Sequence, residues 1–277
     1  MMLLTRQLSG VWRHATRYLR HLPTTVVLGG QADEAKRLAG CLASHPRCFS
    51  AARLETRYFS DHSARSVGWY RAAFPLSVRV RRTQGQVVEA STSYLALPNA
   101  LRQMRQVLTK IRIVVLLGDP VARAHDHFQQ RQNSGAERRG FEECVAEEIR
   151  SAGYAARFGE ALEPNVAPML GYVSQGYYAL QLELLQKLYP RNKILVMDRA
   201  SLLTNANAAC DRIFNFMGLE SVEIEPPAVE AVGHGRDVIH PRAERLLREH
   251  YRPFDELLRE ISEQRFSWMQ PALADAA

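Results

Sequence analysis

Acidic and imidazole side chains are the first candidates for chemistry in this sequence. Glu55, Glu89 and Asp126, with His125 and His127, could carry out general acid–base catalysis, since carboxylates and imidazoles exchange protons near neutral pH. Two histidines separated by one residue can suggest a metal site, but positions i and i+2 of a helix point to different faces. We therefore expect no metal. No serine or cysteine arrangement indicates nucleophilic catalysis.

A turn between a predicted strand and a predicted helix is the place where such side chains could meet a ligand. Five apolar residues ending at Leu117 predict a buried parallel strand. Gly118-Asp119-Pro120 ends that strand, and a helix is predicted from Val121. Open α/β sheets bind ligands at the carboxyl ends of their parallel strands.

Strands alternate with helices along the chain. Strands are predicted at 24–30, 87–95, 112–117 and 193–198. Helices are predicted at 33–44, 98–108, from 121 onward, and at 141–151, 172–189, 205–217 and 241–261. This order predicts an α/β fold with a central parallel sheet covered by helices on both faces.

Composition indicates a globular protein with an anionic ligand or surface. The net charge is +7, and nearly all the positive charge is arginine. No nucleic-acid-binding motif is present, so no nucleic-acid partner is expected. Four cysteines without a CxxC pair predict reduced thiols and a cytoplasmic location. No apolar run approaches the ~18 residues of a membrane-spanning helix.

The chain is predicted to have three parts. Residues 1–22 contain four arginines, Trp12 and Tyr18, and no acid. This segment predicts a basic arm or surface helix; an interfacial helix in peripheral contact with a membrane and an organellar transit peptide are the alternatives. Residues 23–265 are predicted to form a single domain, and residues 266–277 a C-terminal tail.

Several segments resemble, in order and spacing, the motifs of one enzyme family. LGDPVARAHDHF (117–128) resembles the sulfotransferase 3′-phosphate motif LRDPvxRAySHY. The other matching segments are LETRYFS (54–60, family KEtrFFs), VVEASTSYL (87–95, family tgEaSpsYl), GYVSQGYYALQLELL (171–185) and the GR-HP loop with the final helix (235–258). From Leu22 to Ile261 the chain is similar to the sulfotransferase family, in its bacterial or carbohydrate-type branch.

This resemblance implies a fold, a donor and a set of site residues. The family fold is a P-loop-like three-layer α/β fold, and the donor is 3′-phosphoadenosine 5′-phosphosulfate (PAPS), which leaves as 3′-phosphoadenosine 5′-phosphate (PAP). The sulfuryl group passes to a hydroxyl or amine of a carbohydrate or small molecule. By position, Glu55 is the general base, and Lys36, the only lysine near the loop, is the candidate to replace the family's catalytic lysine from a different backbone position. PAPS binding falls to Gly29, Gly30, Lys36, Arg37, Arg123, Gly235 and Arg236, and acceptor binding to Glu89, Tyr70 and His127.

Four positions depart from the family pattern where the donor binds. Ala32 stands in the place of the loop lysine, and Glu34 in the place of a loop glycine. Gly118 replaces the arginine that pairs with the 3′-phosphate, and Asp126 replaces a serine that hydrogen-bonds it. Losing an arginine–phosphate pair typically costs ~1.5–3 kcal/mol. The resemblance therefore implies a degenerate donor site.

Three hypotheses remain open from the sequence. The first is a working sulfotransferase with a rebuilt donor site. The second is a catalytically inactive relative that binds a substrate or a partner protein, and the third is an enzyme with different, PAPS-independent chemistry on this fold. Three residues also keep structural alternatives: Glu55 as a surface acid, Glu89 in a buried hydrogen-bonded pair, and Arg123 as an exposed helix arginine.

Overall fold

The computed structural model of the protein describes residues 11–30, 32–53, 55–151, 171–224 and 238–269, without the side chains of residues 32–36. The chain divides into two compact units. The first unit comprises the described residues of Met1–Leu116 and Tyr189–Ala228, and the second those of Leu117–Leu188 and Val229–Ala277.

A five-stranded sheet forms the centre of the first unit, with the strand order β2-β3-β1-β4-β5. β1 pairs in parallel with both β3 and β4, and β2 pairs in parallel with β3. This parallel sheet with flanking helices confirms the predicted α/β fold. The strands are β1 (Thr25–Gly29), β2 (Cys48–Ser50), β3 (Gln86–Ala90), β4 (Arg112–Leu117) and β5 (Ile194–Asp198).

Seven α-helices with assigned bounds belong to the described part of the first unit. They are α1 (Ala32–Ala43), α2 (Tyr58–Asp61), α3 (Val67–Arg71), α4 (Ser77–Arg82), α5 (Pro98–Val107), α9 (Arg199–Thr204) and α10 (Ala206–Met217). Val27, Val88 and Val114 project from one face of the sheet into a buried cluster with α1 and α10. β-branched residues suit this position because they pack well on a pleated, buried surface.

The second unit is helical and has a core of its own. Its α-helices are α6 (Pro120–Asn133), α7 (Phe141–Arg150), α8 (Tyr178–Leu188) and α11 (Pro241–Ser262). Val121, Phe128, Val145, Leu247 and Tyr251 form the centre of the buried cluster. Asp119 caps α6 by accepting a hydrogen bond from the Val121 amide, and Pro120 occupies the first turn, where no amide donor is needed.

Local predictions fail where tertiary contacts decide the backbone. The helix predicted at 172–189 begins only at Tyr178, after a short 3-10 turn at Ser174–Gly176. Tyr251 explains the delay, because its hydroxyl donates to the Val173 carbonyl at 2.7 Å and lies against Gly176. The strand predicted at 87–95 ends at Ala90, and the short elements β2, α4 and α9 are additions to the predicted order.

The N-terminal segment, residues 11–20, packs onto the first unit. Residues 11–15 are helical, and Arg20 is only 2% exposed. The Arg20 guanidinium donates to the Phe74 carbonyl at 2.7 Å and stacks over the Trp12 ring. No helix in the described ranges combines the length and hydropathy needed to cross a bilayer. All four cysteines are free and buried, in agreement with the predicted reduced thiols.

Candidate active site

A turn of two glycines ends β1, the strand at the centre of the sheet. Gly29 and Gly30 both have positive φ, 72° and 71°. Gly29 lies opposite Leu116 of β4, and a Cβ atom at Gly29 would lie 2.5 Å from the Leu116 carbonyl oxygen. Only glycine fits there, because the position combines left-handed backbone with a close approach. The turn leads directly into α1, and a helix N-terminus of this kind favours anions.

The predicted donor residues of α1 are only partly described. Arg37 is half-buried in the second turn of the helix, and no described residue accepts a hydrogen bond from its Nε. The side chains of Ala32, Glu34 and Lys36 lie outside the described residues, so the proposed catalytic role of Lys36 stays a prediction.

Glu55 has one carboxylate oxygen fixed and the other open. Oε1 accepts hydrogen bonds from the backbone amide of Thr92 at 3.1 Å and from the Thr92 hydroxyl at 2.8 Å. Among the described residues no donor reaches Oε2, and no cation pairs with the carboxylate. The side chain is half-buried. An oriented carboxylate with a free oxygen is the geometry that a general base requires.

Glu89 is the centre of a buried hydroxyl cluster. Its side chain is 0% exposed; Oε1 accepts from Thr56, from Ser91 at 3.0 Å and from Tyr94 at 2.9 Å, while Oε2 accepts from Tyr70. Burial raises the pKa of Glu89, and the four hydrogen bonds oppose that rise. The pKa of Tyr70 lies well above its usual value, first because of burial and then because of the nearby Glu89.

This cluster positions the segment that carries Glu55. Thr56 follows Glu55 in the chain and is tied to Glu89, and the Tyr94 hydroxyl accepts from the Phe59 amide at 3.2 Å. Glu89 and Tyr70 were expected to contact the acceptor. Both are fully buried among hydroxyls and aromatic rings, so the structure favours the buried alternative for Glu89 and a positioning role for both residues.

Arg123 is buried in the second unit. It is 9% exposed, donates to the Tyr172 carbonyl, and has no described acceptor for its Nε. The alternative of an exposed helix arginine is therefore wrong. A guanidinium held by one carbonyl keeps donors for an anion, since guanidinium groups carry five N–H donors.

His127 and His125 both lie on α6, and they pack against different aromatic residues. The His127 ring packs edge-on against Tyr172, and the His125 ring against Phe141. Burial, together with Arg123 and Arg131, lowers the pKa of His127 to about 4, so its imidazole is neutral at pH 7. A neutral imidazole suits a hydrogen-bonding contact with an acceptor better than it suits binding of an anion. Within the described ranges no group of three potential metal ligands occurs.

Known proteins similar to this chain agree on one family. No protein-family profile matches the chain. Mouse heparan sulfate glucosamine 3-O-sulfotransferase 3A1 is 23% identical over 273 residues, which cover 90% of this chain but only 65% of the relative. Human heparan sulfate glucosamine 3-O-sulfotransferase 6 is also 23% identical, with 74% of its length covered. A solved sulfotransferase from Alicyclobacillus acidocaldarius matches with a TM-score of 0.66 at 19% identity, over 90% of this chain and 98% of that one.

The chain is similar in sequence to sulfotransferases and shares the sulfotransferase fold. The solved structure establishes the shared fold, and the relatives extend the similarity over most of the sequence.

Some of the predicted site residues can be compared with the structure only in part. Gly235 and Arg236 lie outside the described residues. Gly118 is buried immediately before the Asp119 cap, and Asp126 is half-buried on α6. The degenerate donor site therefore stays a prediction.

Two side-chain partners of predicted site residues or motif residues were not expected from the sequence. Thr92 supplies both hydrogen bonds to Glu55, and Arg248 binds both oxygens of Asp119, at 2.7 and 2.6 Å. Arg248 lies far along the chain from Asp119, so no spacing rule could have paired them. Thr92 lies in the segment that resembles the family's tgEaSpsYl motif, and that motif was the available signal.

Proposed function

We propose that this protein transfers the sulfuryl group of PAPS to a hydroxyl or amine of a small-molecule or carbohydrate acceptor. Glu55 accepts the acceptor proton, the acceptor oxygen or nitrogen bonds to sulfur, and the bond from sulfur to the 5′-phosphate oxygen breaks. The products are PAP and the sulfated acceptor. Family membership supports the reaction class, and the fixed Glu55 carboxylate carries the assignment of the base.

The proposed donor contacts use groups that carry N–H donors. The Gly29-Gly30 turn and the start of α1 present backbone amides suited to a phosphosulfate. Arg37 and the buried Arg123 each have an Nε without a described acceptor. We assign Gly235 and Arg236 to the same donor by their positions in the family motif, and Lys36 as the lysine nearest to the loop in sequence.

An inactive relative is the second candidate. Its support is the substitution of family anchor residues by Ala32, Glu34, Gly118 and Asp126. Gly118 is described and buried, and it brings no guanidinium to the turn after β4. Such a protein would retain an acceptor site and bind a substrate or a partner protein without turnover.

Calorimetric titration of PAP into the full chain separates the two candidates. A working donor site is expected to bind PAP with a micromolar Kd, and Arg123→Gln is expected to weaken binding about tenfold, as for loss of one charge-assisted contact. Arg82→Gln, which removes an exposed arginine at the end of α4, is the matched control. Absence of PAP binding at millimolar concentration would overturn the proposed activity.

Glu55→Gln tests the base directly. The glutamine keeps an oxygen for the two Thr92 donors but cannot take a proton, so we expect turnover to fall by roughly 10²–10⁴-fold with little change in stability. Turnover is measured as PAP released from PAPS in the presence of a panel of hydroxyl and amine acceptors. Glu249→Gln, at an exposed position of α11, is the control. An active Glu55→Gln variant would remove Glu55 from the mechanism.

A further inference from the structure

A cavity of about 180 Å³ lies in the first unit beside the segment that carries Glu55. Thr56, the residue after Glu55 in the chain, contributes to its lining, whereas Glu55 itself is not among the described lining residues. Its apolar lining consists of Trp69 and three small residues, Ala52, Ala72 and Ala73. A space of this size holds one ring-sized group rather than an extended oligomer, because pockets for drug-sized ligands occupy ≈300–1,000 Å³.

The N-terminal segment supplies one cationic wall of this cavity. Arg13 and His14 line it from that segment, and Arg53 lines it from the loop before Glu55. The Arg13 guanidinium donates to the Ala73 carbonyl at 3.3 Å, which leaves other N–H groups of Arg13 for a ligand. The buried Arg20 holds this wall, because its Nε donates to the Arg13 carbonyl at 3.2 Å.

The lining of this cavity combines cationic side chains with apolar ones. Two guanidinium groups and one imidazole border the cavity, and none of its described lining residues is acidic. Glu89, which is reached through Thr56, already accepts four hydroxyl hydrogen bonds and is fully buried. An apolar pocket with a few charged groups at one side selects a ligand that has a hydrophobic body and one group of opposite charge.

We propose that this cavity binds the acceptor, and that the acceptor is a small aromatic acid with a hydroxyl group. Its carboxylate pairs with Arg13 on the N-terminal wall, its ring lies on the apolar residues, and its hydroxyl lies at the Thr56 end, on the side of the segment that carries Glu55. The assignment of the hydroxyl rests on the proposed function, whereas the recognition of a ring carboxylate rests on the cavity alone.

Titration without any donor tests the recognition separately. 4-Hydroxybenzoate and its uncharged analogue 4-hydroxybenzamide are titrated into the full chain by calorimetry, with glucuronate as a non-aromatic ring acid. We expect the benzoate to bind about tenfold more tightly than either. Arg13→Gln is expected to remove most of the difference in affinity between benzoate and benzamide, and Arg13→Lys to restore part of it. The control Arg82→Gln is expected to leave the affinity for both ligands unchanged.

A second variant tests the size of the cavity rather than the charge of its lining. Ala52→Leu adds bulk at a lining position and is expected to weaken benzoate and benzamide alike by at least about tenfold. Thermal unfolding of each variant verifies that it is folded. Equal binding of benzoate and benzamide, or full binding by Arg13→Gln, would overturn the proposal. Tighter binding of glucuronate would overturn its aromatic part.

These outcomes are distinct from a failure of the proposed function. Benzoate binding that depends on Arg13, in a chain that does not bind PAP, would support the cavity and reject sulfuryl transfer. Sulfuryl transfer to other acceptors by a chain that does not bind benzoate would support the activity and reject the cavity as the acceptor site.

Discussion

Glu89 keeps a carboxyl group inside the first unit with hydroxyl partners instead of a cation. Burying an acid without hydrogen bonds is costly, and four donors offset that cost here. The donors are shared unequally between the two oxygens. Tyr70 is the one described donor to Oε2, whereas Oε1 has three.

This asymmetry predicts different costs for deleting one hydroxyl. Tyr70→Phe leaves Oε2 buried without a described partner, so we expect a loss of about 2 kcal/mol in the free energy of unfolding. Ser91→Ala leaves Oε1 with Thr56 and Tyr94, and about 1 kcal/mol or less is expected. Urea denaturation of the two variants measures the difference. Equal losses would show that the oxygens are not distinguished in this way.

Sequence reasoning identified the acids of this region but not what holds them. The ETRYFS and VVEASTSYL segments drew attention to Glu55 and Glu89 through the family resemblance. Thr92 and Tyr70 become their partners only through folding, because Thr92 is 37 residues from Glu55 and Tyr70 is 19 residues from Glu89. A hydroxyl has no sequence signature for the acid that it will meet.

The Gly29-Gly30 turn after β1 allows a test at the scale of a secondary-structure element. Gly29→Ala must adopt positive φ and place a Cβ 2.5 Å from the Leu116 carbonyl oxygen, so we expect a loss of about 3 kcal/mol and weaker PAP binding. Gly135 has nearly the same φ, 73°, but nothing lies within 4 Å of its Cβ position. Gly135→Ala should therefore cost only about 1 kcal/mol.

The comparison of these two glycine variants isolates the close approach from the backbone conformation. Chemical denaturation gives the stability of each variant, and PAP calorimetry gives the effect on the turn. If Gly29→Ala were no more costly than Gly135→Ala, the contact with β4 would not constrain the turn.

Elements with a strong internal pattern were predicted well. β1, β4, β5 and the long helices α10 and α11 follow apolar periodicity closely. β2 has only three residues and lies at the edge of the sheet, so its pattern is too short to recognise. The late start of α8 depends on Tyr251, which no local rule could include.

For the molecule as a whole, two half-buried groups of the second unit make opposite contributions to the pH dependence of stability. The pKa of His127 is lowered to about 4 by burial and by Arg123 and Arg131, so unfolding takes up a proton between pH 4 and 6.5. Stability from this group is therefore lost as the pH falls through that window. Burial raises the pKa of Asp255 to about 6, with Asp119 adding to the shift. Its contribution is present at low pH and is lost as the pH rises toward 6.

Substituting either residue alone should therefore leave the pH dependence of stability that the other residue contributes. His127→Gln removes the contribution that grows with pH, so its stability relative to the parent protein should decline from pH 4 to 6. Asp255→Asn should show the reverse trend, by up to about 1.4 kcal/mol per pH unit in the limit of one proton. Urea denaturation at pH 4, 5 and 6 measures both. Parallel curves for the two variants would contradict the assignment.

The family and fold were accessible from the sequence because many motifs occur in a fixed order. The chemistry was less accessible, because a few substitutions decide whether an anion is attracted or repelled. Gly118 is an example, because the resemblance implies an arginine at this position, where the chain has glycine.

The position of β1 also bears on how the chain folds as it is synthesised. Among the described strands β1 comes first along the chain and lies at the centre of the sheet, and Thr25 pairs with Val88 and Arg112, both of which are made much later. Until the ribosome has released those partners, β1 is an apolar strand with both edges unpaired. Parallel pairing at long range is slow and exposes such edges to aggregation. Refolding yield from dilute denaturant should therefore fall steeply with protein concentration, and nascent chains ending before residue 112 should be the species that chaperones retain.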